Sequence, residues 1–137
     1  MRVFFDSSAF AKRYVREQGT ETVLAWCERA SEISLSAIAI PEIVSALCRL
    51  RRENRISPEQ YGQIRSWVFS DIEDIALCDL SPEVLRAAMG SLESSPLRAM
   101  DAIHIGSAVV LEADVFVSGD RRQCEAAARA GLRVEII

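Results

Sequence analysis

The sequence predicts an α/β fold in which helices cover a parallel sheet, and three observations carry that prediction. Short apolar runs alternate along the chain with longer segments of helical period, the order expected of strand-helix-strand units. The first run, Val3-Phe4-Phe5, is too short for a helix and breaks abruptly into Asp6-Ser7-Ser8, as a buried central strand does at the sheet edge where ligands collect. Two later segments open on the same helix start, Ser57-Pro58-Glu59 and Ser81-Pro82-Glu83, with a capping serine and a proline at the first helical position.

Taken in order, residues 8–15 read as a short helix after the first strand. Gly19-Thr20 opens an amphipathic helix carrying Val23, Leu24, Cys27 and Ala30. Residues 33–38 alternate apolar with serine and form the second expected strand; Pro41 and Glu42 then suit the first turn of a helix bearing Ile43, Val44, Leu47 and Leu50. That helix ends near Asn54, because Ser57-Pro58-Glu59-Gln60 is a capping box, and the helix behind it, with Tyr61, Ile64, Trp67 and Val68, completes a hairpin. Trp67, Val68 and Phe69 are consecutive, so they cannot all face one core. Residues 75–80 are the third strand and a helix follows to about Leu92. Ser94-Ser95-Pro96 is a loop, and Asp101 starts an apolar helix ending near Glu112. Residues 115–118 are a fourth strand, a helix runs from Gly119-Asp120 to Ala130, Gly131 stops it, and residues 133–137 are the fifth strand.

At 137 residues the chain makes one domain, 1–137, with no linker, repeat or low-complexity segment. With 50% hydrophobic and 26% charged residues it is too apolar for disorder, yet no run is long enough to span a membrane and no export signal precedes the first strand; a cytoplasmic protein is expected. Cys27, Cys48, Cys78 and Cys124 are too scattered for a zinc or redox motif and read as buried thiols. A net charge of −4 excludes a surface that grips nucleic acid everywhere, but permits a basic rim around an acidic centre. The arginine groups at 49–55 and 121–122 read as solvated faces.

The topology could gather Asp6, Glu42, Asp101 and Asp120 at one edge of the sheet. Each alone is explained by helix capping or the macrodipole. Together they would repel unless a cation lay among them, and oxygen donors without a His or Cys partner suit Mg²⁺ or Mn²⁺ and hence phosphoryl chemistry.

The stretches Asp6-Ser7-Ser8-Ala9-Phe10-Ala11-Lys12-Arg13-Tyr14, Pro41-Glu42-Ile43, Leu97-Arg98-Ala99-Met100-Asp101-Ala102-Ile103-His104 and Phe116-Val117-Ser118-Gly119-Asp120-Arg121-Arg122 resemble, in order, the four signature regions of PIN-domain ribonucleases. Length and wording are most similar to the VapC toxins of bacterial and archaeal toxin-antitoxin pairs. The resemblance implies a three-layer α/β/α sandwich with a five-stranded parallel sheet, a Mg²⁺ (or Mn²⁺) site, hydrolysis of single-stranded regions of RNA, a VapB-like antitoxin as partner and a homodimer. It matches Asp6, Glu42, Asp101 and Asp120 to the family's acidic quartet and Ser8 and Ser118 to its supporting polar positions. Where some relatives carry a further acid, Arg121 and Arg122 follow Asp120, leaving one or two metal ions open. Lys12, the only lysine, either leans toward the acids or is solvated; His104, the only histidine, is read as packing or support rather than a ligand. A phosphoaspartyl phosphatase would need an Asp where Ser8 stands, and a receiver domain a late lysine that the chain lacks. A PIN-like module that holds RNA or protein without cutting it is the alternative.

Overall fold

A computed structural model describes residues 1–137. Five strands, β1 (Arg2–Phe5), β2 (Glu32–Ser36), β3 (Ala76–Cys78), β4 (Val115–Ser118) and β5 (Val134–Ile136), form one sheet in the order β3-β2-β1-β4-β5. Every pairing is parallel, and the three-layer fold class is the expected one. The helices are α1 (Ser7–Ala11), α2 (Thr20–Arg29), α3 (Ala39–Arg52), α4 (Pro58–Ile72), α5 (Pro82–Ser94), α6 (Ala99–Val110) and α7 (Arg121–Arg129).

Side chains leave a strand to alternate faces, and the core divides accordingly. Val3, Phe5, Leu35, Val115 and Val117 pack against α1 to α4 through Phe10, Val23, Trp26, Ile43, Leu47, Ile64 and Val68. From the other face Phe4 and Phe116, stacked 5.6 Å apart, meet Ile105 and Ala108 of α6 and Ala126 and Ala127 of α7. The helix α5 lies on α6 rather than on the sheet. Gly106 makes that contact close: a Cβ built there would stand 2.6 Å from the Val84 carbonyl oxygen and 3.0 Å from the Ala88 nitrogen.

Several boundaries differ from expectation for local reasons. The strand β2 stops at Ser36, and α3 starts at Ala39, two residues before Pro41; proline is tolerated there because the first-turn amides have no intrahelical acceptor to lose. The helix α1 is one turn shorter than the run of residues suggested, since residues 12–14 form turns. The edge strands β3 and β5 have three residues each, where six and five were expected. Caps behave as read. Ser57 and Gln60 complete a reciprocal capping box, Ser81 caps α5, and Gly131 takes φ 94° beyond α7. No helix is long and apolar enough to cross a membrane.

Candidate metal and nucleic-acid site

Strand order reverses beside β1: the chain leaves it toward β2 and β3 on one side and returns as β4 on the other. The carboxyl ends of β1 and β4 are therefore a switch point, where an open parallel sheet leaves a crevice. The register pairing Phe5 with Val117 sets Asp6 beside Ser118. Asp6 is buried and both its carboxylate oxygens are bonded: Oδ1 accepts from the Ala9 amide at 2.8 Å and the Ser8 hydroxyl at 3.4 Å, and Oδ2 accepts from the Ser118 hydroxyl at 2.5 Å. Asp6 thus caps α1 and faces a cavity at once.

The other acids arrive on helix starts. Glu42 stands in the first turn of α3, Asp101 in the first turn of α6, where Arg98 rather than an acid holds the N-cap position, and Asp120 caps α7 by accepting from the Gln123 amide at 3.2 Å. A cavity of about 420 Å³ is lined by Asp6, Glu42 and Asp101 together with Ser7, Ser8 and His104. Asp101 also lines a neighbouring cavity with Asp120. The structure therefore brings three of the four acids around one cavity and reaches the fourth through Asp101.

Their protonation preferences separate them. Burial pushes Asp6 up, more than its hydrogen bonds from Ser118 and Ala9 pull it down. Asp101 is raised first by burial and then by the negative charge of Asp120. Glu42 is lowered, chiefly because the His104 ring bonds it; His104 Nε2 lies 2.6 Å from Glu42 Oε1, and the Ser7 hydroxyl donates to the same oxygen at 2.6 Å. His104 Nε2 is also 3.1 Å from Ser7 Oγ, and its buried Nδ1 has no partner. Nearby, burial pushes the Cys124 thiol up to about 11, so it stays protonated and unreactive at neutral pH.

Ser7 and Gln123 carry structure here that the sequence reading assigned to neither. Gln123 is buried, stands 2.9 Å from the Ser118 hydroxyl through Oε1 and donates to the Asp101 carbonyl at 3.2 Å, linking the ends of β4 and α6. Its signal was the Asp-x-x-Gln spacing from Asp120, which resembles a capping box. Lys12 turns elsewhere: its ammonium pairs with Glu17 at 3.0 Å and its stem rests on Gly19, so it lines neither acidic cavity.

No three His, Cys, Asp or Glu side chains converge as a ready-made metal cage. Mg²⁺ does not demand one, since it keeps several waters and takes one or two carboxylates directly. Two carboxyl groups raised by burial and by a neighbouring acid, Asp101 beside Asp6 and Asp120 beside Asp101, with no cation paired to either, are a donor set that a hydrated divalent ion fits.

No curated protein matches the sequence significantly. Solved structures do match in fold: VapBC2 from Rickettsia felis bound to a DNA fragment from their promoter, with TM-score 0.72, 12% identity and 100% and 99% of the two chains covered; FitAcB from Neisseria gonorrhoeae, with 0.71, 16%, 96% and 95%; and VapC20 from Mycobacterium tuberculosis, a sarcin-ricin loop cleaving toxin, with 0.67, 14%, 90% and 94%. The model of the PIN domain matches residues 3–129, a span that contains all four acids and runs from β1 to the end of α7, and the chain accordingly belongs to the PIN-domain family.

Proposed function

We propose that this chain is a Mg²⁺- or Mn²⁺-dependent endoribonuclease that cuts single-stranded regions of RNA, and that it is the toxin of a type II toxin-antitoxin pair held in check by a VapB-like antitoxin. The observation that carries the reading is the meeting of Asp6, Glu42 and Asp101, with Asp120 adjoining, at the switch point of the sheet. Family membership and the shared fold of VapC-type chains support it.

Asp6, Asp101 and Asp120 would hold the ion, with Glu42 completing the acidic set. When bound, a divalent ion supplies charge neutralisation on the phosphate, activation of a water nucleophile and stabilisation of the leaving oxygen. The chain's own part is orientation. Ala9 and Ser118 fix both oxygens of Asp6, while Ser7 and His104 clamp one oxygen of Glu42 and keep it ionised, leaving Oε2 free to accept. His104 is thus a positioning residue. Its replacement by Phe, which fills the space beside Phe4 but cannot bond Glu42, is expected to lower cleavage by about 10–100-fold while metal affinity falls with it. Unchanged cleavage and metal titration would reduce His104 to packing.

The test of the whole reading is RNA hydrolysis by the purified chain with Mg²⁺ or Mn²⁺ added and then chelated. Cleavage is expected only with metal, leaving a 5′-phosphate and a 3′-hydroxyl. A 2′,3′-cyclic phosphate product would sink it, and RNA binding without cleavage would identify the non-catalytic module instead.

The partner surface is proposed on the α3-α4 hairpin. Val68 is buried but Trp67 and Phe69 are 51% and 42% exposed, and Trp67 borders an apolar groove of about 310 Å³ with Tyr14, Val15, Ile56 and Ile64. Aromatics exposed on a helix are what interfaces favour, and this face borders the proposed homodimer contact. Trp67→Ala is expected to weaken capture of the antitoxin encoded beside this gene by about 30-fold or more, and Phe69→Ala to weaken it less, because Arg65 already covers that ring. If both folded variants bind as the parent does, the hairpin is not the interface.

A further inference from the structure

Two cavities flank Asp101, and both are edged by arginine. The one holding Asp6 and Glu42 is bordered by Arg49 and Arg98, and the second, about 520 Å³, is bordered by Arg98 and Arg122 beside Asp120. Because Arg98 and Asp101 line both, the cavities are consecutive lobes of one trough.

These three guanidinium groups differ from most others in the chain. Arg2, Arg13, Arg16, Arg55 and Arg86 are ion-paired, and Arg29, Arg51, Arg65 and Arg133 lie over aromatic rings. Arg49, Arg98 and Arg122 are exposed and have neither kind of partner, although each shares a cavity with a carboxylate. Two of them also stand against local preference. Arg98 occupies the N-cap of α6 without bonding a first-turn amide, where a short polar side chain would serve better. Arg122 sits in the first turn of α7, where the helix dipole disfavours a cation. Residues that break a local rule without an evident structural return mark functional positions. The planar fork of arginine fits a phosphate with two parallel hydrogen bonds, and these forks are free to make them.

Building on the ribonuclease reading, we propose that Arg49 on one side of the acids and Arg98 with Arg122 on the other are phosphate-holding residues. They seat a single-stranded RNA across the trough with the phosphate to be cut over Asp101. The arrangement resolves a conflict of charge. A chain with net charge −4 and an acidic site floor repels RNA, so attraction has to come from the rim, and the strand is held at the phosphates beside the scissile one.

The experiment uses the full chain carrying Asp101→Asn, to block cleavage, and a fluorescent single-stranded RNA of mixed sequence with Mg²⁺ present, titrated at several salt concentrations. Adding Arg49→Ala, Arg98→Ala or Arg122→Ala is expected to weaken binding about tenfold each, the scale of one lost charged hydrogen-bonding group, and to flatten the salt slope by about 0.7 per arginine. The matching lysine variants should restore the slope but only part of the affinity, because an ammonium lacks the fork. Arg52→Ala, an exposed arginine on α3 that lines neither lobe, should change neither. Thermal melts confirm that each variant is folded. Failure of the Asp101→Asn parent to bind the probe, or equal effects at Arg52 and Arg98, overturns the proposal. Metal-dependent cleavage by the unsubstituted chain with no slope change in the arginine variants overturns this inference alone. Slope changes without any cleavage overturn the ribonuclease reading and leave the phosphate seats standing.

Discussion

Asp101→Asn is expected to lower metal-dependent RNA cleavage by at least about a hundredfold, the scale on which loss of one charge-stabilising group acts at a reaction centre. The same variant should be slightly more stable than the parent without metal. Asp101 carries a carboxyl raised by burial and by Asp120, so its ionised form is disfavoured in the folded chain, and amide replacement removes that penalty. Against this stands the loss of a negative charge from the first turn of α6, about 0.3–1 kcal/mol. The net gain is therefore smaller than the penalty relieved, in the direction usual for a site that sacrifices stability to function.

The sign of the pH dependence follows. A carboxyl whose folded pKa lies above its unfolded value contributes stability below the unfolded value, near 4, and loses it as pH rises through the folded one. Asp6 and Asp101 both act in this direction, whereas Glu42, lowered by His104, contributes above its ordinary value and loses that contribution as pH falls. Melting the metal-free protein between pH 4 and 7 should show a decline with pH that is shallower in Asp101→Asn, and Mg²⁺ should oppose the decline in the parent. Parallel melting curves for parent and variant, with cleavage intact, would return Asp101 to an ordinary first-turn acid.

The second large effect is on stability alone. Gly106→Ala places a methyl group 2.6 Å from the Val84 carbonyl oxygen, so α5 and α6 must separate. Overpacking of this kind costs about 1–3 kcal/mol or more, and the better helix propensity of alanine returns about 1. A net loss of up to about 2 kcal/mol, seen as a fall in Tm of up to roughly 8 °C, is expected by calorimetry. Gly90, in the middle of α5, has nothing within 4 Å of the corresponding position, and Gly90→Ala should raise stability by about 0.5–1 kcal/mol. Equal melting of Gly106→Ala and the parent would show that separating the two helices costs no more than the helix propensity of alanine returns.

The contrast between these glycines shows what was legible beforehand. Both lie in segments of helical period, and nothing local separates them; only the neighbour packed across α6 does. The same division runs through the site. Strands β1 and β4 were readable because both are continuous apolar runs broken by polar residues, and the Ser-Pro starts located α4 and α5. Edge strands were overextended because an apolar run does not reveal where a neighbouring strand ends. Asp6, Glu42, Asp101 and Asp120 were legible as residues that open helices, while the clamp of Ser7 and His104 on Glu42 joins residues from α1, α3 and α6 and has no local signature. Lys12 stayed between two readings because its position one or two turns beyond Asp6 says nothing of Glu17, which pairs with it.

The pairing of β1 with β4 also sets an order of events during synthesis. Asp6 and the Ser118 hydroxyl that orients it are 112 residues apart, and β1 lies between β2, made early, and β4, made late. Closing so long a loop is slow and is rewarded only at the end. A nascent chain can bring α1 to α4 together with β1 and β2, yet its acidic centre lacks Asp101 until α6 emerges, and Ser118 and Asp120 until β4 and the start of α7 have left the ribosome. Whatever chemistry the centre performs is withheld from any chain that stops before β4, and such a truncation leaves Asp6 without the partner strand that would bury it.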